Sequence, residues 1–276
     1  MDFFNTLFIS DLDGTLLDKN AELSVFTAKA LNELIAKGVH FSVATARTPA
    51  TACNILSGLD LRVPAVMMNG VLVYDLSRDD YLKINYLPPD AVADVTSTLR
   101  TFGSAGLMYE LAGSEMSVYY ETLENEALRD FTREREVRYG KRFTHTESFS
   151  CLPSDRIVYF TLLDKRERLE PVYAFLSARP GMNLIMYRDI YSDDLWFLEI
   201  YNAVSSKRNA VLFLKEEFGY GRVVGFGDNL NDLPMFEACD VKIAVENASP
   251  EVKAAADYIC GANDKDGVVK WLMDNL

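Results

Sequence analysis

The stretch that most constrains this chain lies near its start: Phe8-Ile9-Ser10-Asp11-Leu12-Asp13-Gly14-Thr15-Leu16-Leu17-Asp18. Leu7, Phe8 and Ile9 form an apolar run that reads as a buried parallel strand, and two carboxylates two residues apart follow where the strand should end. Period-two geometry puts Asp11 and Asp13 on one side of the backbone. Gly14 permits the unusual φ of a turn out of the strand, and Thr15 can hydrogen-bond that turn. In open α/β sheets, ligands bind at this edge. Two like charges so close need a cation, a shared proton or a division of labour, and a hard divalent ion such as Mg2+ meets the first need. A polar turn after a strand has the same composition, so the rest of the chain must decide.

Its 276 residues suit one large domain or two modest ones, and 49% apolar residues indicate a folded globular protein. Lys plus Arg is 28 against 41 Asp plus Glu, a net charge of −13, which argues against nucleic acid as a partner. An anionic substrate would therefore depend on local cations. Cys53, Cys151, Cys239 and Cys260 form no CxxC pair, so neither a disulfide framework nor a zinc site is signalled and buried free thiols are expected. His40 opens a core strand and His145 sits in a polar stretch, and both read as structural, which disfavours a histidine-based hydrolase. With no signal peptide and no apolar run long enough to span a bilayer, a soluble, cytoplasmic protein is expected, without a membrane partner.

Along the chain, Ser24 reads as the N-cap of a helix to about Lys37, and Val39 to Ala44 as a second strand ending in Thr45-Ala46-Arg47. Pro49 opens a second helix, Ala65 to Met68 is a third strand ending at Asn69-Gly70, and a hairpin follows. Alternating strands and helices imply right-handed crossovers and a parallel sheet. From Pro88 the texture changes to helix-strand-strand blocks, with a charge run Glu134-Arg135-Glu136 that reads as a solvated helix face. Residues 86–202 read as a second domain inserted into a first made of 1–85 and 203–276. The first then resumes with a helix from Ser206 and a very apolar strand, Val223 to Phe226, ending in Gly227-Asp228-Asn229-Leu230-Asn231-Asp232. The fold class is α/β, a Rossmann-like parallel sheet core with an inserted α+β domain.

Three strand ends thus carry Asp11 with Asp13, Thr45 with Arg47, and Asp228 with Asp232, while Lys207 opens a helix. In a parallel sheet such ends share one rim. In this order the residues resemble the four motifs of the haloacid dehalogenase superfamily of phosphohydrolases. The inserted block resembles the type IIB cap in layout, and the C-terminal run, with Asn247-Ala248 and Asp266-Gly267-Val268, is similar to the Cof-type subfamily.

The resemblance implies a Mg2+-dependent phosphatase that acts on small phosphorylated metabolites and is a monomer or weak homo-oligomer. It implies that Asp11 is a nucleophile forming an aspartyl-phosphate, and that Asp13 protonates the leaving oxygen and later deprotonates water. It further implies Mg2+ on Asp11, the Asp13 carbonyl and Asp228, with Asp232 supporting from behind. Thr45 and Lys207 would hold the transferring phosphoryl oxygens, with Asn231, Arg47 and Asn69 facing phosphate or substrate. Two departures stand out: Ala46 where the family has glycine, and Ser205-Ser206-Lys207-Arg208 where glycines normally flank the lysine, which leaves a swap of Lys207 and Arg208 open. The inserted domain is expected to set specificity; Tyr187, Arg188, Asp193, Asp194 and Trp196 lie at one of its turns, where an ordinary hairpin reads equally well. A phosphotransferase or phosphomutase, and a non-catalytic phospho-ligand binder, are the competing functional readings.

Overall fold

The structure, a computed structural model, describes residues 3–189, 192 and 194–276. The chain forms two compact units, Met1–Lys83 with Ser206–Leu276, and Ile84–Ser205.

The first unit opens with β1 (Thr6–Ser10), whose five residues are all buried. Helix α1 (Val25–Ala36) starts where the Ser24 hydroxyl accepts the Thr27 N–H at 2.9 Å. Strand β2 (His40–Val43) lies parallel to β1, and α2 (Pro49–Leu56) begins on its proline. Here the chain departs from the simple alternation. β3 (Ala65–Met67) pairs antiparallel with β4 (Leu72–Asp75) in a three-stranded sheet with β5 (Asp80–Ile84), and a single parallel bridge, Ala44 with Val66, ties it to the strand before it. Met68, Asn69 and Gly70, with φ of 50°, 54° and 92°, reverse the chain right after β3. Three left-handed residues in a row turn β3 back at the expected Asn69-Gly70 turn, so that β4 pairs with β3 as well as lying in one sheet with β5.

The second unit contains α3 (Pro89–Phe102), β6 (Leu107–Ala112), β7 (Glu115–Tyr120), α4 (Glu126–Tyr139), β8 (Phe143–His145), β9 (Ile157–Lys165), α5 (Arg166–Leu176), β10 (Met182–Arg188) and β11 (Leu195–Asn202). Its strands form one sheet, β10-β11-β9-β6-β7-β8. Met108, Phe160, Leu162, Leu198 and Ile200 share a core with Val95 and Leu99 of α3 and Leu169 and Val172 of α5. The opposite parity is polar yet buried: Tyr159 stacks on Tyr201 at 5.2 Å, and Thr161 and Glu199 lie beside them.

Three sequence expectations change in this unit. His145 is on a strand, β8, with its ring edge-on to Tyr120 at 5.6 Å. Arg135 folds back over the Phe131 ring at 3.4 Å instead of standing in solvent, because its flat guanidinium stacks well on an aromatic face. Cys151 is exposed, on a short 3-10 turn, whereas Cys239 and Cys260 are buried; all four thiols are free. Of the residues at the β10–β11 turn, Asp193 lies outside the described residues, and Tyr187 stacks on Phe197 at 5.4 Å as a hairpin aromatic would.

The first unit resumes with α6 (Lys207–Glu217), β12 (Arg222–Gly227), a 3-10 turn (Leu230–Asp232), α7 (Leu233–Phe236), β13 (Val241–Val245), α8 (Pro250–Ala255), β14 (Tyr258–Cys260) and α9 (Gly267–Asn275). Its main sheet runs β14-β13-β12-β1-β2 with every pairing parallel. The strand order reverses at β1, so β1 and β12 flank the topological switch point where such sheets bind ligands. Ser10 sits opposite Phe226, and the Asp11 N–H donates to the Phe226 carbonyl at 2.9 Å, bringing both acidic strand ends together. Among the described residues no helix is long and apolar enough to cross a membrane.

Candidate active site

Asp11, Asp228 and Asp232 each offer a carboxylate oxygen, and these oxygens lie within 4.8 Å of one another. Backbone makes this crowding possible. Gly14 turns with φ 77°, and a Cβ there would sit 2.5 Å from Asp228 Oδ2. At the end of β12, a Cβ on Gly227 would meet the Asp232 side chain at 2.7 Å. The Asp232 Oδ2 accepts the N–H groups of Asp228 (3.0 Å) and Asn229 (3.1 Å), so this fully buried carboxylate braces the loop that carries Asp228. Thr15 does not serve its own turn as expected: its hydroxyl donates to Asp228 Oδ1 at 2.6 Å, 213 residues away in sequence.

Lys207 is the first residue of α6, whose N-cap Ser206 accepts the Asn209 N–H at 3.0 Å. Its side chain is 1% exposed, and its Nζ donates to Asp11 Oδ1 at 2.6 Å and to Asp232 Oδ1 at 2.7 Å. Arg208 points outward to Glu237 at 3.4 Å, so Lys207 is the inward cation of the pair. Burial by itself would push the Lys207 ammonium down, but Asp11 and Asp232 at contact distance outweigh it and hold the group charged. Burial pushes the Asp11 carboxyl well up, with Asp232 adding and Lys207 opposing. Asp228 is likewise pushed up to about 7, chiefly by burial and then by Asp232, while the Thr15 hydrogen bond pulls it down. Asp11 and Asp232 share the Lys207 ammonium while Asp228 lies beside them, and a divalent cation bound there would offset the crowding of negative charge.

The remaining predicted residues are distributed as follows. Arg47 clasps Asp13 with a two-pronged contact, Nε to Oδ2 at 2.7 Å and NH2 to Oδ1 at 2.6 Å. The sequence has Arg47 facing phosphate or substrate; in the structure its planar fork takes the bidentate pair with the carboxylate beside it. Thr45 is buried, its hydroxyl accepting the Arg47 N–H at 3.1 Å, and its carbonyl accepts the Asn69 N–H at 3.0 Å. Asn69 is buried beside it with φ 54°. Asn231 is half-buried on the turn that carries Asp232.

Two contributors escaped the sequence reading. Thr15 reads as turn chemistry in the sequence, because nothing local reveals its partner. Asn247 contributed only to family likeness, yet its Nδ2 donates to the Gly14 carbonyl at 2.7 Å and its Oδ1 accepts the Asn263 N–H at 3.0 Å, which pins the turn under Asp228.

Carboxylates and a buried lysine are thus gathered at the switch point of a parallel sheet, an arrangement suited to chemistry on a charged group. A family model, haloacid dehalogenase-like hydrolase, matches residues 8–272. The pyridoxal phosphate phosphatase YbhA of Escherichia coli is 24% identical over 96% of this chain and 97% of its own length. The 5-amino-6-(5-phospho-D-ribitylamino)uracil phosphatase YwtE of Bacillus subtilis is 24% identical over 96% of both chains. Among solved structures, a haloacid dehalogenase-like hydrolase from Bacteroides thetaiotaomicron superposes with TM-score 0.82 at 24% identity, covering 98% of this chain and 99% of its own. A sugar phosphatase of subclass IIB superposes with TM-score 0.75 at 20% identity over 98% of both chains. The chain belongs to the haloacid dehalogenase-like hydrolases, of Cof type, and is a phosphoric monoester hydrolase. Hydrolases of this family use a divalent metal, and the Asp11-Asp228-Asp232 cluster suits one.

Proposed function

We propose that this chain is a Mg2+-dependent phosphatase of small phosphate monoesters, sugar phosphates or similar metabolites, working through an aspartyl-phosphate on Asp11. The observation that carries the reading is the contact of Lys207 with both Asp11 and Asp232 at one buried rim, 2.6 and 2.7 Å. The donors are all oxygens, which fits a hard cation such as Mg2+. Asp11, the Asp13 carbonyl and Asp228 would hold it, and it would supply charge neutralisation on the phosphoryl oxygens.

The protein's own groups divide the work. An Asp11 carboxylate oxygen attacks phosphorus while the bond to the substrate oxygen breaks, and Asp13 delivers a proton to that departing oxygen. Water then attacks the same phosphorus, gives a proton back to Asp13, and releases inorganic phosphate with Asp11 regenerated. Lys207 and Thr45 hold phosphoryl oxygens as charge shifts, with Asn231 and Asn69 alongside. Arg47 would face phosphate or substrate, and in turning to it would release both oxygens of the Asp13 carboxyl, which it clasps in the structure, so that this group can carry a proton. Asp232 keeps Lys207 charged and Asp228 in place. The inserted unit, residues 86–202 in the sequence reading, would choose the leaving group.

The test is inorganic phosphate release by purified protein with Mg2+ across a panel of monoesters. The panel includes sugar phosphates together with the compounds after which the two curated relatives are named, pyridoxal phosphate and 5-amino-6-(5-phospho-D-ribitylamino)uracil. Release that stops on chelation is expected. No release from any member refutes the reading, and isomerised sugar phosphate without free phosphate would make the enzyme a mutase.

A further inference from the structure

We infer that Gly70 is a positioning residue for Lys207, acting through the three-residue left-handed turn Met68-Asn69-Gly70; this rests on the proposed role of Lys207 as a phosphoryl ligand. That turn lies at the meeting of two catalytic segments of the first unit. Its Met68 N–H donates to the Arg47 carbonyl at 3.1 Å and its Asn69 N–H to the Thr45 carbonyl at 3.0 Å, so one side is laced to the segment that carries Thr45. Its other side meets the start of α6. A Cβ built on Gly70 would lie 2.1 Å from the Ser206 carbonyl oxygen, 2.4 Å from its carbon and 3.1 Å from the Lys207 nitrogen. Backbone therefore abuts backbone one residue ahead of the catalytic ammonium.

The conformation of the turn is unusual in itself. Met68 and Asn69 take φ of 50° and 54° although neither is glycine, and both side chains are buried. Residues of this kind enter the left-handed region at a cost, and they stay there when surrounding structure over-determines them. Here the two hydrogen bonds to the Thr45–Arg47 segment hold the turn in place. The fixed turn then acts as a backstop for Ser206, and through the first turn of α6 for the Lys207 ammonium. Thr45 and Lys207, both of which hold phosphoryl oxygens in the proposed mechanism, are linked by this single turn.

The displacement can be worked out. Opening 2.1 Å to the 3.0 Å that real Cβ contacts need moves the Ser206 carbonyl by about 0.9 Å. Carried along the helix start, about the same shift would stretch the 2.6 Å Lys207–Asp11 contact to about 3.5 Å, the edge of a hydrogen bond. Misplacement of about 1 Å lowers turnover by up to roughly a hundredfold. Gly219 supplies the matched control: it lies in the same unit just past the far end of α6, has φ 70°, and a Cβ there meets nothing within 4 Å.

The experiment compares Gly70→Ala, Gly70→Asn and Gly219→Ala in the full chain, with kcat, KM, the inhibition constant for inorganic phosphate, and melting temperature measured on each. Asparagine tolerates the left-handed region better than alanine but carries the same Cβ. Both Gly70 variants are expected to lose about tenfold to a hundredfold, mainly in kcat, and to show an inhibition constant for phosphate raised about tenfold. Gly219→Ala should stay within about twofold of the parent on both. Inactive molecules lower apparent kcat but leave an inhibition constant unchanged, so that constant separates positioning from mere loss of folded protein. Gly70 variants that match Gly219→Ala in kcat and in phosphate inhibition overturn the inference, as does failure of both to fold while Gly219→Ala folds. Lys207→Gln and Asp11→Asn are measured alongside. If those two keep turnover, the assignment of the site itself fails; if they lose it while Gly70→Ala does not, the failure belongs to this inference alone.

Discussion

Thr15→Val is the perturbation that most directly probes how the two acidic segments depend on each other. The hydroxyl donates to Asp228 Oδ1 at 2.6 Å, and valine keeps the branched shape while deleting the donor. A hydrogen bond to a charged group contributes about 1.5–3 kcal/mol. At 1.4 kcal/mol per factor of ten, its loss from the carboxylate that would hold Mg2+ weakens metal binding by about tenfold to a hundredfold, in line with what groups that orient metal ligands contribute elsewhere. The direction agrees with the electrostatics. Burial and Asp232 already push the Asp228 carboxyl up to about 7, and the Thr15 bond is the first influence acting the other way. Without it a metal must displace a proton more often at neutral pH. The assay is calorimetric titration of the metal-free protein with Mg2+, repeated as the Mg2+ dependence of phosphate release. Half-saturation should rise about tenfold to a hundredfold, kcat at saturating Mg2+ should stay within a few fold, and Thr15→Ser should behave as the parent. An unchanged Mg2+ affinity in Thr15→Val would refute the reasoning, because it would mean that Asp228 is oriented without its partner.

Asp11→Asn should abolish turnover while circular dichroism and melting temperature stay near the parent's, since an amide oxygen still accepts from Lys207 but is a poor nucleophile; measurable turnover would remove Asp11 from the mechanism. Asp13→Ala should slow phosphate release by about a hundredfold or more, and a normal rate would exclude Asp13 as the acid and base. In the second unit, burial, with Arg135 adding, lowers the Lys141 ammonium from 10.5 to about 7, while its Nζ lies 4.8 Å from the centre of the Tyr109 ring. Between about pH 7 and 10 the unfolded chain then binds the extra proton, so this group makes stability rise with pH across that window, by up to about 5 kcal/mol in total, with the full penalty present below it. Lys141→Met should flatten that part of the melting-temperature profile; an identical slope in both proteins would sink the prediction.

The opening segment shows how far sequence reasoning reaches. Strand β1, the acids at its end and the glycine that turns it were all predictable, because apolar runs, period-two geometry and left-handed glycines are local properties. Helix α2 begins on Pro49 and ends at Leu56 as its proline and periodicity indicate, and Lys207 opens α6. The sequence favours Lys207 over Arg208 but leaves a swap open, since adjacent residues at a helix start differ only in which way the helix is rotated. Packing decided that: Lys207 is buried between Asp11 and Asp232, and Arg208 is left at the surface with Glu237. Arg47 turning to Asp13 and Thr15 serving Asp228 were not readable, because each depends on a neighbour brought in by the sheet.

From sequence alone follow the kinds of chemistry available to this protein and the strand ends that carry them, since backbone preference and hydrophobic pattern act over a few residues. Tertiary structure alone decided which carboxylate faces which cation. Asp11 and Lys207 are 196 residues apart; the pairing of β12 with β1 sets Asp232 beside Asp11, and Lys207 at the start of α6 is held between those two carboxylates because a buried ammonium needs such partners.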